Sequence, residues 1–320
     1  MKKIAILTSG GDSPGMNTAI RAIVHSAESK KFEIVGINYG LIGLLNKDFT
    51  KLTSETVDPA LSMGGTILFS SRFPDFLNLE VQKKAIEHLK SAEIDHLIII
   101  GGDGSIRAAQ ALTNLGFSTI AIPATIDNDV PESEYAIGFD TALNTYLSSI
   151  DKIRDTATSH QKTFIIEVMG KNCGNIALWS GIAGGSEFII IPDKAFDTRE
   201  IALRIKKYFL EGKAHCLIVL AEGVMSADDL GAILKEQSDL ETRAIKLGHV
   251  ARGGTPSAYD RVFASKMGKF ALDLIYLNKK NQLIVVKNGK LTSIEITNSL
   301  NFSLQNKEVD DYYLLNEELN

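Results

Sequence analysis

The sequence has few of the residues that mark disulfide-stapled or membrane-spanning proteins. It contains two cysteines, Cys173 and Cys216, and no secretion signal, so it predicts reduced thiols rather than a disulfide framework. No apolar run approaches the roughly 20 residues that a membrane helix needs. The apolar stretch Ile4–Leu7 is also too short for the core of a signal peptide. These absences predict a cytoplasmic protein.

The sequence also lacks a large excess of charge of either sign. There are 34 basic and 39 acidic residues, which gives a net charge of −5 and argues against a nucleic acid or an anionic membrane as partner. With 44% hydrophobic and 23% charged residues, the 320-residue chain has the composition of an ordinary soluble globular protein. Its length corresponds to about two domains.

Short apolar runs that end in glycine or proline alternate with amphipathic helical patterns. Runs such as Leu97–Ile100 and Cys216–Leu220 are continuously apolar, which is typical of parallel strands buried on both faces. The rhythm restarts after Asp127-Asn128-Asp129. The sequence therefore predicts an α/β fold of two similar Rossmann-like α/β/α lobes, whose mostly parallel sheets face a central active-site cleft.

Two of the predicted strands end in a similar glycine-rich turn. Ile4–Leu7 leads into Thr8-Ser9-Gly10-Gly11-Asp12, and Leu97–Ile100 leads into Gly101-Gly102-Asp103-Gly104-Ser105. Open α/β sheets bind ligands at such strand ends, and glycine lets the backbone approach a phosphate closely. Neither turn has the dinucleotide or Walker spacing. The alternative, glycines that only make tight turns, is disfavoured because both loops also carry an acidic residue.

Carboxylates accompany these turns. Because a carboxylate beside a phosphate is repelled, Asp103 is predicted to hold Mg²⁺ together with the phosphate oxygens of a nucleoside triphosphate. A third strand end carries Asp127 and Asp129, which suggest a base for an acceptor hydroxyl and a group that orients it. Taken alone, this third segment is more simply explained as an Asx-rich turn or a helix cap.

Together, the three segments resemble the bacterial ATP-dependent 6-phosphofructokinases of the type A family. The resemblance runs over at least residues 1–300. It implies transfer of the γ-phosphoryl group of Mg-ATP to the 1-hydroxyl of D-fructose 6-phosphate, which gives fructose 1,6-bisphosphate and ADP in the committed step of glycolysis. Further motifs of the family follow in order: Ser71-Arg72-Phe73-Pro74, Glu167-Val168-Met169-Gly170, Ala221-Glu222-Gly223 and Gly248-His249-Val250-Ala251-Arg252-Gly253-Gly254.

The resemblance also implies roles for individual residues. Asp127 is expected to accept the proton of the 1-hydroxyl and Asp103 to bind Mg²⁺, while Arg72 and the metal neutralise the transferring phosphoryl group. Thr125 and Lys171 complete the expected catalytic set. The expected ATP-binding residues are Gly11, Arg72, Phe73, Gly102, Asp103, Gly104 and Ser105.

A second implied set binds fructose 6-phosphate. Within it, Lys162 and Arg243 are expected to come from a neighbouring subunit, which implies a homotetramer with shared active sites. Family members usually have arginine at 162 and 171; lysine keeps the charge but loses the planar fork that suits phosphate. The alternative for Lys162 and Lys171 is a surface position without a role. The set comprises Thr125, Ile126, Asp127, Lys162, Met169, Gly170, Lys171, Glu222, Arg243, His249, Val250, Ala251 and Arg252.

Small residues at two positions favour ATP over pyrophosphate as the donor. Pyrophosphate-using relatives have aspartate where this chain has Gly104, and lysine where it has Ala124. Those larger side chains occupy space that a nucleotide needs. Family members more often have glycine than alanine at position 124.

The effector site of the family, which takes ADP or phosphoenolpyruvate, is matched only in part. The loop at 54–59 lacks the expected arginine at 54 and aromatic residue at 55, and Glu211 stands where a lysine is usual. Fewer cations and an added anion weaken attraction for a phosphate, so altered effector control is expected. The corresponding positions are Arg21, His25, Arg154, Gly185, Glu187, Lys213 and His215.

The resemblance implies two lobes, an ATP-binding one of residues 1–137 and 251–301, and a sugar-binding one of residues 138–250 and 302–320. Two alternatives to the phosphofructokinase reaction are another kinase with a Gly-Gly-Asp-Gly loop, such as an NAD or lipid kinase, and a catalytically silent nucleotide sensor. The first lacks the segment around Arg72 and the cations at 243–254. The second is expected to lose Asp127, Asp103 or Arg72, and all three are present.

Overall fold

A computed structural model of the chain describes residues 2–298 and 309–320. Within these ranges the chain divides into two compact units. Residues 2–141 and 252–298 form the first, and residues 142–251 and 309–320 form the second. The boundary expected at 301/302 lies outside the described residues, and the assignment of ATP to one unit and sugar to the other stays a prediction.

The strands of the described residues form one sheet in each unit. In chain order they are β1 (Lys3–Ser9), β2 (Glu33–Ile37), β3 (Phe49–Lys51), β4 (His96–Gly101), β5 (Thr119–Pro123), β6 (Thr163–Val168), β7 (Phe188–Ile190), β8 (Cys216–Ala221), β9 (Thr242–Lys246), β10 (Gln282–Lys287) and β11 (Lys290–Glu295).

Helices connect and cover these strands. The α-helices are α1 (Met16–Lys30), α2 (Gly40–Asn46), α3 (Ser54–Val57), α4 (Leu79–Ser91), α5 (Asp103–Asn114), α6 (Phe139–His160), α7 (Asn175–Ala183), α8 (Thr198–Leu210), α9 (Ala227–Ser238), α10 (Ala258–Tyr276) and α11 (Val309–Leu319). Among the described residues, no helix is both long and apolar enough to cross a membrane.

The first unit is built on a seven-stranded sheet in the order β11-β10-β5-β4-β1-β2-β3. The inner pairs are parallel, and the edge pairs β2–β3 and β10–β11 are antiparallel. Every residue of β4 and β5 is buried, which explains their continuous apolar sequences. Because β1, β4 and β5 are parallel neighbours, their carboxyl ends lie side by side, and these are the strand ends that carry the glycine turns and Asp127.

The second unit has a four-stranded, fully parallel sheet in the order β7-β8-β6-β9. Its core packs α8 and α9 against the apolar side chains of β8, such as Ile218 and Leu220. The predicted α/β class with mostly parallel sheets is therefore confirmed. Strands β10 and β11 form a hairpin whose turn is Asn288-Gly289, with both residues at positive φ.

Some elements depart from the sequence prediction. Helix α5 begins at Asp103, inside the segment predicted as a glycine-rich turn, since Gly102 takes the N-cap position directly after β4. The sequence prediction did not include helices α2, α3, α7, α10 and α11 or strands β3 and β9. Strand β9 is half exposed and polar, and it is defined by its pairing with β6, a long-range partner that local sequence does not reveal.

Candidate active site

The first glycine turn follows β1 directly and is fixed by hydrogen bonds to residues 70 and 71. Gly10 has a φ of +85°, a left-handed conformation that glycine adopts without strain. The hydroxyl of Ser70 donates to the carbonyl of Gly10 at 2.6 Å, and the N–H of Gly10 donates to the carbonyl of Ser71 at 3.4 Å. These bonds tie the turn to the segment that presents Arg72.

The second glycine turn lies against the first. A Cβ on Gly101 would lie 2.5 Å from the carbonyl oxygen of Ser9 and 2.4 Å from Oγ of Ser105, so the close approach requires glycine. The hydroxyl of Ser105 is buried and has no hydrogen-bond partner in the described structure. Together with the N–H groups at the start of α5, it offers donors to an anionic ligand.

The third segment follows β5, whose register places Pro123 beside Gly101. The N–H of Ala124 donates to the carbonyl of Gly101 at 3.0 Å, and the N–H of Asp127 donates to Oγ1 of Thr125 at 3.2 Å. These contacts bring Thr125 and Asp127 to the glycine turn that carries Asp103. The order of the parallel strands thus assembles three segments that lie far apart in sequence.

The carboxylates of this segment are partly withdrawn from water. Burial raises the pKa of Asp127 above its ordinary value, and the charges of Arg252 and Arg72 oppose that rise. Burial and the nearby charge of Asp127 raise the pKa of Asp129 to about 6. A carboxylate poised in this range is suited to accept a proton.

A cavity of about 440 Å³ joins these groups in the first unit. Its polar lining comes from the glycine turns, the carboxylates and three arginines, and its apolar lining includes Leu41, Phe73 and Phe76. A phosphorylated ligand with an aromatic base matches this division. The residues that line it are Ser9, Gly10, Gly11, Leu41, Ser71, Arg72, Phe73, Pro74, Phe76, Leu77, Gln82, Gly102, Asp103, Gly104, Ser105, Arg107, Ala108, Ala111, Ala124, Thr125, Asp127, Asp129 and Arg252.

All residues expected to bind ATP line this cavity, and so do the expected catalytic residues Asp127, Arg72 and Thr125. Ile126, expected at the sugar site, is buried. Arg252 was expected at the sugar phosphate. It lies against the first glycine turn, where its Nη1 donates to the carbonyl of Asp12 at 3.4 Å and fills the space beside Gly11.

Most of the other expected sugar residues lie in the second unit, on loops after parallel strands. Gly170, after β6, has a φ of +138°, and the turn after β8 packs on it. The N–H of Gly223 donates to the carbonyl of Gly170 at 3.0 Å, and the N–H of Glu222 donates to the carbonyl of Val168 at 2.9 Å. Met169, Gly170, Lys171 and Glu222 are thereby brought together.

Tyr146 links this group to the loop that bears His249, Val250 and Ala251. Its hydroxyl donates to the carbonyl of Gly248 at 3.0 Å and accepts from the N–H of Met169 at 3.2 Å. Tyr146 is fully buried on α6. Sequence reasoning missed it, since a buried tyrosine in a helix carries no local signal of such a role.

Lys162 and Arg243 lie on the neighbouring strands β6 and β9 or directly beside them. Lys162 Nζ is 3.1 Å from Oε2 of Glu241, and Arg243 pairs with Phe164 in the strand register. Both Lys162 and Arg243 lower the pKa of Glu241 below its ordinary value, with the hydrogen bond to Lys162 as the largest cause. Glu241, which sequence reasoning did not single out, therefore partly neutralises this cationic pair.

The expected effector residues fall in both units, and each group has its own partners. In the first unit, Nε of Arg21 and Nε2 of His25 each lie 2.7 Å from Oδ1 of Asp58. In the second unit, Nδ1 of His215 is 2.9 Å from the hydroxyl of Thr158, and Lys213 Nζ is 3.7 Å from Oε1 of the buried Glu187. The other two expected effector residues, Arg154 and Gly185, also lie in the second unit.

The described residues contain no group of three or more histidine, cysteine or acidic side chains that could hold a metal by themselves. A site for Mg²⁺ does not need one. Magnesium is commonly bound through one or two carboxylates together with substrate phosphates. Asp103 supplies one such carboxylate, and the glycine turns and the buried hydroxyl of Ser105 beside it can bind the phosphates.

Glycine turns at the ends of adjacent parallel strands, with carboxylates and arginines around one cavity, define an α/β enzyme of the phosphotransferase class. A sequence profile of the family described as Phosphofructokinase matches residues 3–275. The chain therefore belongs to the phosphofructokinase family, as the sequence motifs indicate.

Individual relatives agree with this placement. An ATP-dependent 6-phosphofructokinase of Listeria monocytogenes serotype 4b is 51% identical over 300 residues, which are 94% of each chain. One of Enterococcus faecalis is 50% identical over 317 residues, 99% of each chain. A structure of phosphofructokinase from Saccharomyces cerevisiae has a TM-score of 0.86 at 31% identity, and it covers 99% of this chain and 47% of the yeast chain, so this chain spans about half the yeast length.

Proposed function

We propose that this chain transfers the γ-phosphoryl group of ATP to the 1-hydroxyl of D-fructose 6-phosphate, which gives fructose 1,6-bisphosphate and ADP. The observation that carries the proposal is the cavity in which both glycine turns, Asp103, Asp127 and Arg72 meet. Relatives named ATP-dependent 6-phosphofructokinase that are about half identical to this chain over nearly its full length support it.

In the proposed mechanism, Asp127 takes the proton of the acceptor hydroxyl. Its carboxylate is partly buried, which raises its pKa above the ordinary value, and the charges of Arg252 and Arg72 oppose that rise. The same arginines are placed to neutralise the charge of the transferring group, which is the main requirement of phosphoryl transfer. The N–H of Asp127 holds the hydroxyl of Thr125, which fixes the loop.

We propose Mg²⁺ as the metal and Asp103 as the residue that holds it. When bound, the metal neutralises the phosphate oxygens of the nucleotide. The donors of the chain itself are the hydroxyl of Ser105 and the backbone N–H groups of the two turns. They position the phosphates in the cavity.

The proposed donor is ATP rather than pyrophosphate. Nothing lies within 4 Å of the position that a Cβ on Gly104 would take, so the cavity is open at this point. Leu41, Phe73, Phe76 and Ala111 supply an apolar wall for a base. A structure of a pyrophosphate-dependent phosphofructokinase from Nitrosospira multiformis shares the fold at 21% identity and a TM-score of 0.85, so the donor assignment rests on the residues of the cavity and not on the fold.

For the sugar phosphate, the proposed ligands are Met169, Gly170, Lys171, Glu222 and the loop with His249 in the second unit. Lys162 and Arg243 are proposed to serve the active site of a neighbouring subunit in a homotetramer. Lys162 lies directly before β6, Arg243 lies on the neighbouring β9 and is exposed, and two cations so close together support a site for an anion from outside the chain. The enzyme is proposed to act in the cytoplasm.

Effector control by ADP and phosphoenolpyruvate is proposed to be weak or absent. Oδ1 of Asp58 lies 2.7 Å from both Nε of Arg21 and Nε2 of His25, so the charge of Arg21 is already paired within the chain and the His25 ring is already hydrogen-bonded. In the second unit, Glu211 at the C-cap of α8 adds an anion two residues before Lys213, another of the expected effector residues. An effector phosphate must therefore displace a carboxylate before it binds.

The experiment that tests the function is a coupled assay with fructose 6-phosphate, Mg²⁺ and either ATP or pyrophosphate. We expect turnover with ATP and, at most, a trace with pyrophosphate. Equal or greater turnover with pyrophosphate would overturn the donor assignment, and no turnover with either donor would overturn the function.

A further inference from the structure

Arg107 contacts the carboxylate that the proposed function assigns to the metal. Nε of Arg107 donates to Oδ2 of Asp103 at 2.8 Å, and both side chains line the cavity. The two residues lie one turn apart on α5, of which Asp103 is the first residue. Side chains of a helix lean toward its N-terminus, so Arg107 covers the turn that begins the helix and faces the glycine loop.

The position of this ion pair distinguishes it from the other intrahelical pairs of the chain. Lys207 and Glu211, on α8 and at its C-cap, are also four residues apart, with Nζ 3.6 Å from Oε1, but they are exposed and do not line the cavity that contains Asp103. Exposed pairs of this kind contribute little to stability. The side chains of Arg107 and Asp103 are also partly exposed, at 53% and 36%, so the consequence of their ion pair is for what binds at Asp103 rather than for folding.

A guanidinium and a divalent cation compete for the same carboxylate. Two positive charges a few ångströms apart repel each other, and the oxygen of Asp103 that accepts from Arg107 is not free for a metal. A metal that arrives with a nucleotide does not face this conflict in the same way. The phosphates bring negative charge, and a guanidinium released from Asp103 can pair with them.

We propose that Arg107 holds Asp103 until the metal–nucleotide complex arrives, and then transfers its guanidinium from the carboxylate to the nucleotide phosphates. The inference rests on the proposed function, because it takes Asp103 as the metal-binding residue. It makes Arg107 a positioning residue that disfavours the bare metal and favours the nucleotide. Metal and nucleotide then enter together, and the bare cation alone binds the free enzyme weakly.

The test measures binding of Mn²⁺ alone to the full-length protein without nucleotide, by electron paramagnetic resonance. We expect Arg107→Gln to bind Mn²⁺ about tenfold more tightly than the unmodified protein, and Arg107→Lys to stay within about threefold of it because the charge is kept. Metal-free ATP, followed by calorimetry, is expected to bind several-fold more weakly to Arg107→Gln. Thermal unfolding of both variants reports whether the fold is intact.

Two further variants make the result decisive. Lys207→Gln removes a cation from the comparable pair on α8 and is expected to leave Mn²⁺ affinity unchanged. Asp103→Asn is expected to abolish the tight Mn²⁺ binding of Arg107→Gln. Equal Mn²⁺ affinity in Arg107→Gln and the unmodified protein overturns the inference, as does an equal effect of Lys207→Gln or unchanged Mn²⁺ binding after Asp103→Asn.

Failure of the proposed function is seen in a different experiment. If the unmodified protein does not convert fructose 6-phosphate with ATP, the assigned reaction is wrong. The Mn²⁺ measurements contain neither substrate nor turnover. They therefore decide the competition at Asp103 independently of the reaction.

Discussion

The carboxylate of Asp260 accepts a hydrogen bond from the backbone N–H of Thr141 at 2.8 Å and thereby joins α10 to the start of α6. It also accepts from the N–H of Gly138 at 2.6 Å and from the hydroxyl of Tyr135. Asp260 is fully buried. One buried carboxylate on α10 thus fixes several points of the segment that follows Asp127 in the sequence.

Removal of this acceptor is expected to destabilise the protein. Asp260→Ala leaves several buried donors without a partner, and each costs about 1–3 kcal/mol when it is left unsatisfied. We expect a loss of about 3 kcal/mol in the free energy of unfolding, measured with urea. Asp260→Asn retains an acceptor oxygen and is expected to lose less. A loss below about 0.5 kcal/mol for the alanine variant would contradict this role.

The charged carboxylate of Asp129 is expected to destabilise the folded protein at neutral pH. Its pKa is about 6 in the folded protein against an ordinary value of 3.8, so the folded state resists ionisation of this group. Asp129→Asn should therefore raise the free energy of unfolding at pH 7 by about 1–3 kcal/mol.

Because the pKa of Asp129 is raised in the folded protein, the stabilisation expected from Asp129→Asn depends on pH. Above pH 6 the folded protein carries the unfavourable charge, and below 3.8 the group is protonated in both states. The difference between the variant and the unmodified protein should shrink from pH 6 downward and vanish below about pH 4. Urea titrations at several pH values check this, and a gain that stays constant with pH would refute the assignment.

Lys162→Arg is expected to preserve activity. Arginine keeps the positive charge that faces Glu241 and adds a planar fork for phosphate. We expect the KM for fructose 6-phosphate to stay the same or fall. A rise of more than tenfold in steady-state assays would remove Lys162 from the proposed sugar-phosphate site.

Effector response is expected to be weak, and Asp58 gives a way to test the cause. Asp58→Asn removes the carboxylate that holds Arg21 and His25. If that carboxylate blocks an effector phosphate, the variant should respond to ADP or phosphoenolpyruvate more strongly than the unmodified protein. Strongly sigmoidal kinetics in the unmodified protein, with a large response to either effector, would contradict the expectation.

The strand ends and their glycine turns could be predicted because their chemistry is local. The apolar runs before Gly10 and Gly101 are buried strands, and the residues after them lie where a parallel sheet binds ligands. The apolar wall of the cavity could not be predicted in the same way. Leu41 and Phe76 reach it from helical segments whose approach depends on packing within the first unit.

The sequence also did not predict which acidic side chains pair with the basic ones. Arg107 stands four residues after Asp103, a spacing that predicts an ion pair once the helix is known to begin at Asp103. The sequence prediction placed Asp103 in a glycine-rich turn, so that signal was missed. Asp58 and Glu241 neutralise cations that are distant in sequence, and no local pattern marks them.

The role of Asp127 also predicts how activity depends on pH. Burial raises its pKa above the ordinary value of 3.8, and a base must be ionised to accept a proton. The kcat/KM for fructose 6-phosphate should therefore begin to fall, on acidification, at a pH above that of an ordinary aspartate. A profile that is flat down to pH 4, with folded protein, would contradict this.

The turnover of Asp127→Asn with ATP, Mg²⁺ and fructose 6-phosphate tests the central claim most directly. The amide has nearly the same shape but cannot accept the proton, so we expect kcat to fall by at least ~10² while unfolding by urea shows a folded protein. A kcat close to that of the unmodified protein would show that Asp127 is not the base and would contradict the account.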